Sequence, residues 1–190
     1  DDISLPERTL KTYEAWEQSG RTAYSLFTNM YVIDEKSIVS GTYYKKKPFV
    51  AKNINEALRG LTCGVSGCSH TFHRALFEHF GDLQPNIINE DAVIPFRALL
   101  LGKSLDYIDI PLVKYRMHNQ SITHQMSNIF LRYDKFAQYI HDASKIKVML
   151  PIEESVNYLL ETKCLMQASK TIEHGAIAAG IFSLLGLYLR

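Results

Sequence analysis

The residues best equipped for chemistry in this 190-residue chain are two acidic pairs, Asp1-Asp2 and Glu90-Asp91. Adjacent carboxylates form a hard-oxygen site suited to Mg²⁺ or Mn²⁺, ions that keep water and substrate oxygens among their ligands. A single carboxylate at a helix mouth can also serve as a general base. By local sequence alone, each pair equally reads as the acidic start of the helix that follows it. A third group, Cys63, Cys68, His70, His73 and His79, offers zinc-type donors. Its spacing matches no standard zinc knuckle, and a strand would point neighbouring donors apart.

The elements that must position these residues follow from periodicity and breakers. Pro6 opens a helix over 7–18, with Leu10, Tyr13 and Trp16 at helical spacing and Gly20 as the stop. Residues 22–33 and 38–44, rich in aromatic and β-branched types, predict two strands joined by a polar turn. Lys45-Lys46-Lys47-Pro48 reads as a basic, solvated loop. A short helix is expected over 53–59, then a strand rich in small residues over 63–72, which puts Cys68, His70 and Phe72 on one face and Gly67, Ser69 and Thr71 on the other. Further helices are expected at 74–80 and 93–101, the second beginning near Asp91 or Ala92 and closed by Gly102. Two short strands, 105–110 and 112–117, would meet at Pro111. Candidate helices at about 126–141, 152–168 and 171–189 complete an α/β body with an all-helical tail.

Composition narrows the classes. A chain 46% hydrophobic and 22% charged buries one ordinary core, and a formal net charge of +1 argues against a nucleic-acid partner. Three cysteines without framework spacing suit a reducing compartment, so a cytoplasmic location is expected. Residues 175–189 are uncharged and mostly apolar, but fewer than the ~20 residues a membrane span needs. A packed terminal helix is the expectation, with contact to a membrane surface or an oligomeric partner as the sharper alternative.

Three stretches carry a resemblance when taken together: DDISLPERTL at the start, GCSHTFHRALFEHFGDLQPNIINEDAVIPFRALLLG in the middle, and PLVKYRMHNQSIT after it. In that order and at those separations the chain resembles the family 2 glycosyltransferases of GT-A fold, over roughly residues 1–121. The resemblance implies a partial GT-A fold, α/β with a mixed sheet, over 1–124 and a helical extension over 125–190. It implies that Asp1 and Asp2 end the family's Asp-x-Asp segment, which binds a divalent cation (Mn²⁺ or Mg²⁺) and the sugar nucleotide. Asp91, preceded by Glu90, matches the catalytic base. His118 becomes a candidate ligand to metal or diphosphate, and Arg116 a diphosphate contact or a structural partner of Asp91. Gly67, Ser69, His70 and Arg74 fall in the segment that lies beneath donor sugar and acceptor in relatives.

The expected activity is transfer of a sugar from a nucleotide-diphospho-sugar to a saccharide or lipid-linked acceptor, with inversion implied by the resemblance alone. Nothing corresponding to the family's nucleoside-clamping units precedes Asp1, so the 190 residues by themselves are expected to show no turnover. A non-catalytic glycan-binding or protein-interaction module of the same fold is the alternative.

Overall fold

The computed structural model describes residues 1–118 and 134–147, apart from 61, 86 and 88. They form an α/β arrangement around an open, mixed sheet of five strands. In chain order the elements are β1 (Ile3–Ser4), α1 (Arg8–Gln18), β2 (Ala23–Ile33), β3 (Val39–Thr42), α2 (Ile54–Gly60), β4 (Thr71–Phe72), α3 (Ala75–Phe80), α4 (Glu90–Leu100), β5 (Ser104–Arg116) and α5 (Asp134–Lys145). The strands run in the order β1-β5-β2-β3, with β4 also paired to β2. Among the described strands only β2 and β5 pair in parallel; the other pairings are antiparallel.

β2 is the central strand because its residues are apolar or small on both sides, and Leu26, Phe27, Thr28, Asn29 and Met30 are all buried. α4 packs against both β2 and β5, and its Val93, Phe96 and Leu100 join Phe27, Leu76, Phe80 and Leu105 in the main core. Its first turn carries Glu90 and Asp91. Pro95 lies within the helix and has no N–H to offer the carbonyl of Asp91, so one rung of the ladder is missing there.

Two expectations need correction. The segment 63–72 is not a strand: a 3-10 turn, Gly67–Ser69, interrupts it, and only Thr71 and Phe72 pair with β2. The facial alternation expected for residues 67–72 therefore does not hold. At Gly64 the backbone takes φ +83° and passes so close to the Phe49 carbonyl that a Cβ would lie 2.0 Å from its oxygen, a course open only to glycine.

Nor is Pro111 the junction of two strands. β5 runs unbroken from Ser104 to Arg116, and the pairing with β2 jumps from Thr28↔Ile108 to Asn29↔Pro111 to Met30↔Val113. The proline is absorbed as a bulge, which needs no ladder N–H. Of the helices expected beyond 126, Asp134–Lys145 is described; those at 152–168 and 171–189 lie outside the described residues.

α5 is locked to α4 by a buried ion pair. Arg97 Nε donates to Asp142 Oδ2 at 2.6 Å and Nη2 to Oδ1 at 3.1 Å, with the side chains 0% and 1% exposed. The remaining guanidinium donors reach the carbonyls of Gly81 and Asp82, and Gln138 Nε2 donates to Asp142 Oδ1. Phe96 stacks on Tyr139 at 3.8 Å, and the Tyr139 hydroxyl donates to the Ala92 carbonyl at 3.2 Å. Such a pair is tolerable in a core only because every polar atom finds a partner.

Candidate functional site

Antiparallel pairing of β1 with β5, Ile3↔Lys114 and Ser4↔Val113, lays the first residues of the chain beside residues 116–118. There His118 Nε2 and Asp1 Oδ2 meet at 2.7 Å. Asp2 Oδ1 accepts the Arg116 backbone N–H at 2.8 Å. The turn at 66–69 stands on β2: the Thr28 N–H donates to Ser69 Oγ, and the Cys68 thiol faces Met30 Sδ at 3.0 Å. Arg8, at the start of α1, donates from Nη2 to the His70 carbonyl at 3.0 Å.

That turn packs against the acidic pair of α4. A Cβ built on Gly67 would lie 3.3 Å from Asp91 Cβ and 3.3 Å from Glu90 Oε1, so the backbone here packs directly against the carboxylates at the mouth of α4. On its other flank, Cys68 feels the charges of Asp2 and Arg8. Burial first, and Asp2 second, push the Cys68 thiol up to about 11, which keeps it a neutral packing group near pH 7.

Asp91 is held above the ordinary carboxylate range, chiefly by burial and next by the charge of Glu90; Lys135 and the backbone N–H groups of Ala92 and Asp91 pull in the opposite direction. A raised carboxylate is a better proton acceptor than an exposed one while remaining ionisable near neutrality. Tyr44 completes this side. Its hydroxyl is hydrogen-bonded to Ser66 Oγ, its phenol senses both Asp91 and Cys68, and Asn29 clamps its backbone through Tyr44 N→Oδ1 (3.0 Å) and Nδ2→Tyr44 O (3.0 Å).

The remaining candidates divide. Ser69 is fully buried and spans the turn, donating to the Ser66 carbonyl at 3.3 Å while accepting from Thr28. His70 turns its ring inward to Ser25 Oγ at 2.7 Å, and burial, followed by the charge of Arg8, lowers its pKa to about 4. It is a neutral support of the turn. Arg74 does not join the others: it is exposed and paired with Glu78 at 2.6 Å.

Nor does the Arg116 guanidinium turn to Asp91 as its structural partner. It donates to the carbonyls of Asp34 and Glu35 and to Ser37 Oγ, fastening β5 to the β2–β3 turn. The zinc-type donors also scatter. Cys63 Sγ reaches the Ala92 carbonyl, His73 Nδ1 accepts from Ala75 N, and His79 Nδ1 lies 2.8 Å from the Ala75 carbonyl.

Lys135 and Tyr44 were not singled out by sequence. Lys135 on α5 and Tyr44 in the loop after β3 are remote from α4 in the chain, and no local pattern links them to Asp91. Among the described residues, no group of three or more His, Cys, Asp and Glu side chains that could hold a metal ion comes together. Asp1 and His118 nevertheless form a two-donor pair of carboxylate and imidazole at hydrogen-bond distance. Of the two, the carboxylate is the donor type that Mg²⁺ or Mn²⁺ takes beside diphosphate oxygens and water, and the imidazole is the softer one.

No protein-family model matches the chain, and no curated protein matches it in sequence.

Proposed function

We propose that this chain is the acceptor-side, base-carrying part of a GT-A glycosyltransferase of family 2, which within its full-length protein moves a sugar from a nucleotide-diphospho-sugar to a saccharide or lipid-linked acceptor. The observation that carries the reading is the turn at 66–69. It lies against Glu90 and Asp91 through Gly67, and the next residue, Cys68, is within electrostatic reach of Asp2.

In this reading the Asp91 carboxylate accepts the proton of an acceptor hydroxyl as that oxygen bonds to the anomeric carbon. The bond from that carbon to the diphosphate oxygen breaks, and the electron pair leaves with the diphosphate. The held-up pKa of Asp91 suits that task, and Glu90 helps to maintain it. Gly67 brings backbone rather than a side chain to the carboxylates, so the turn can lie directly against them. Asp1 and His118, with Asp2 beside them, would hold the divalent ion, which when bound neutralises charge on the departing diphosphate. Ser69, His70 and Tyr44 keep the turn in position.

The test is calorimetric titration of the full-length protein with uridine and guanosine diphospho-sugars, with and without Mn²⁺. Metal-dependent binding that is lost in Asp2→Ala supports the transferase reading. Binding of a glycan without metal, together with no response to any nucleotide, would replace it by the non-catalytic module.

A further inference from the structure

A cleft of about 870 Å³ opens along β5, and neither acidic pair lines it. That volume lies within the roughly 300–1,000 Å³ of ligand sites. Its floor is formed by residues 105–108 of β5, one wall by the C-terminal end of α1 through Ala15 and Gln18, and the other by the loop after β3 through Phe49 and Val50. Leu105 and Tyr107 pack with Val50 on the main core. Asp106 and Ile108 alternate to the opposite face, the one that Leu26, the register partner of Asp106, shares with Tyr13 and Trp16 of α1. The cleft therefore takes in both faces of the strand and the backbone edge between them.

That edge carries no strand. β2 pairs with one side of β5 along its whole length, but on the other side β1 reaches only Lys114 and Val113, and the Leu5 N–H donates to the Leu112 carbonyl. Over 105–108, roughly 13 Å of strand, no described segment pairs with the outer edge. Proline and a bulge, which commonly blunt such an edge, come only after Ile108. The walls add apolar surface, and Phe49 is 52% exposed.

The chemistry that complements a strand edge is another extended backbone. A second copy does not supply it through the same edge, which is recessed between the same two walls. Residues 152–168 and 171–189 of this chain follow helical spacing and do not read as extended. Charge narrows the occupant further. Of the acids lining the cleft, Asp106 lies within electrostatic reach of Lys47, and Glu56 accepts from the Lys52 N–H and Asn53 Nδ2. The Lys52 ammonium forms no ion pair among the described residues, and Lys45 and Lys46 precede it on a loop with no acid between Lys36 and Glu56. The loop wall is basic.

We propose that the cleft between α1 and the loop after β3 binds an extended, acidic peptide segment of another protein, which adds a short strand to β5 at 105–108. Alternate side chains of the peptide rest on Ala15 and on Phe49, and a carboxylate meets Lys52. The inference is independent of the transferase reading, since it uses neither acidic pair and no part of the turn at 66–69.

The probe is a phage-displayed library of random heptapeptides selected on the full chain, with the enriched sequences made as fluorescein-labelled peptides and titrated by polarisation. Enrichment of Asp or Glu among alternating apolar residues is expected. Ala15→Trp, which fills the cleft from α1, and Lys52→Glu should each weaken binding about ten-fold or more with melting temperature unchanged. A second measurement does not depend on how those variants fold. N-methylation of every second peptide amide should abolish binding while methylation of the intervening ones is tolerated, and hydrogen exchange over 104–110 should slow when the peptide binds. Four results each overturn the proposal: no enrichment, binding indifferent to N-methylation, exchange over 104–110 already fully slowed in the full chain alone, or slowing that appears only as the chain self-associates. The third would assign the edge to this chain's own sequence and the fourth to a second copy.

Discussion

Gly67 packs so tightly against Asp91 that a Cβ on the glycine would lie 3.3 Å from the aspartate Cβ, with Glu90 Oε1 equally near. Its backbone is not in the left-handed region, so the demand for glycine comes from contact and not from φ. Gly67→Ala should therefore leave the fold intact while displacing one or both carboxylates by a few tenths of an ångström. If Asp91 is the base, kcat falls by about ten- to a hundred-fold, since small misplacements at a reacting centre are costly. Steady-state kinetics beside a thermal melt checks this; unchanged kcat would mean that the contact is packing alone.

The raised pKa of Asp91, caused first by burial and then by Glu90, also makes a stability prediction. In the unfolded chain its carboxyl titrates near the ordinary value, so the folded form holds the proton to higher pH. The associated stability is present below the ordinary value and is lost as pH rises through the raised one. Asp91→Asn should consequently be more stable than the wild type at pH 7, with the gap closing in acid. Activity should drop by about 10²- to 10⁴-fold, the usual contribution of a general base. Melting curves across pH 3–8 measure the first effect.

His70 works in the opposite sense. Its folded pKa is about 4, against 6.5 for a free imidazole, so on acidification the unfolded chain takes up the proton first. Stability present above pH 6.5 should fall progressively down to about pH 4, by about 3 kcal/mol in all. His70→Gln, which keeps a polar partner for Ser25, should flatten that decline in urea titrations. An equally steep decline in the variant would place the acid sensitivity elsewhere.

The Arg97–Asp142 pair predicts strong coupling between α4 and α5. Arg97→Ala or Asp142→Ala should each cost about 3–5 kcal/mol, because either leaves a buried charge unpaired. Arg97→Met combined with Asp142→Leu should recover much of that loss. Recovery will be incomplete, since the Gly81 and Asp82 carbonyls also lose their donor. A double-mutant cycle by urea denaturation gives the coupling energy.

Sequence carried the fold wherever pattern and punctuation agreed. Pro6 with Leu10, Tyr13 and Trp16 marks α1, and the acidic start and Gly102 bracket α4. It failed over 63–72, where glycines and small residues look extended but the chain passes against the Phe49 carbonyl at Gly64 and coils at 67–69. It also failed at Pro111, because a bulge in a long parallel pair leaves no local mark.

At the candidate site, the residue types were legible and their meetings were not. The contact of Asp1 with His118 depends on β1 pairing with β5, and the charge of Lys135 acts on Asp91 from α5, a helix held on α4 in part by the Arg97–Asp142 pair. Alternation along a strand would turn only one of Ser69 and His70 toward a pocket, but a 3-10 turn stands there and no strand forms. Both turn inward instead.

The most direct measurement is transfer of radiolabelled sugar by the full-length protein from uridine and guanosine diphospho-sugars in Mn²⁺, comparing wild type with Asp91→Asn. The account predicts metal-dependent transfer that falls at least about a hundred-fold in the variant, while metal-dependent donor binding persists. Transfer that survives in Asp91→Asn, or a wild-type protein that neither binds nor uses any donor with metal present, would contradict it.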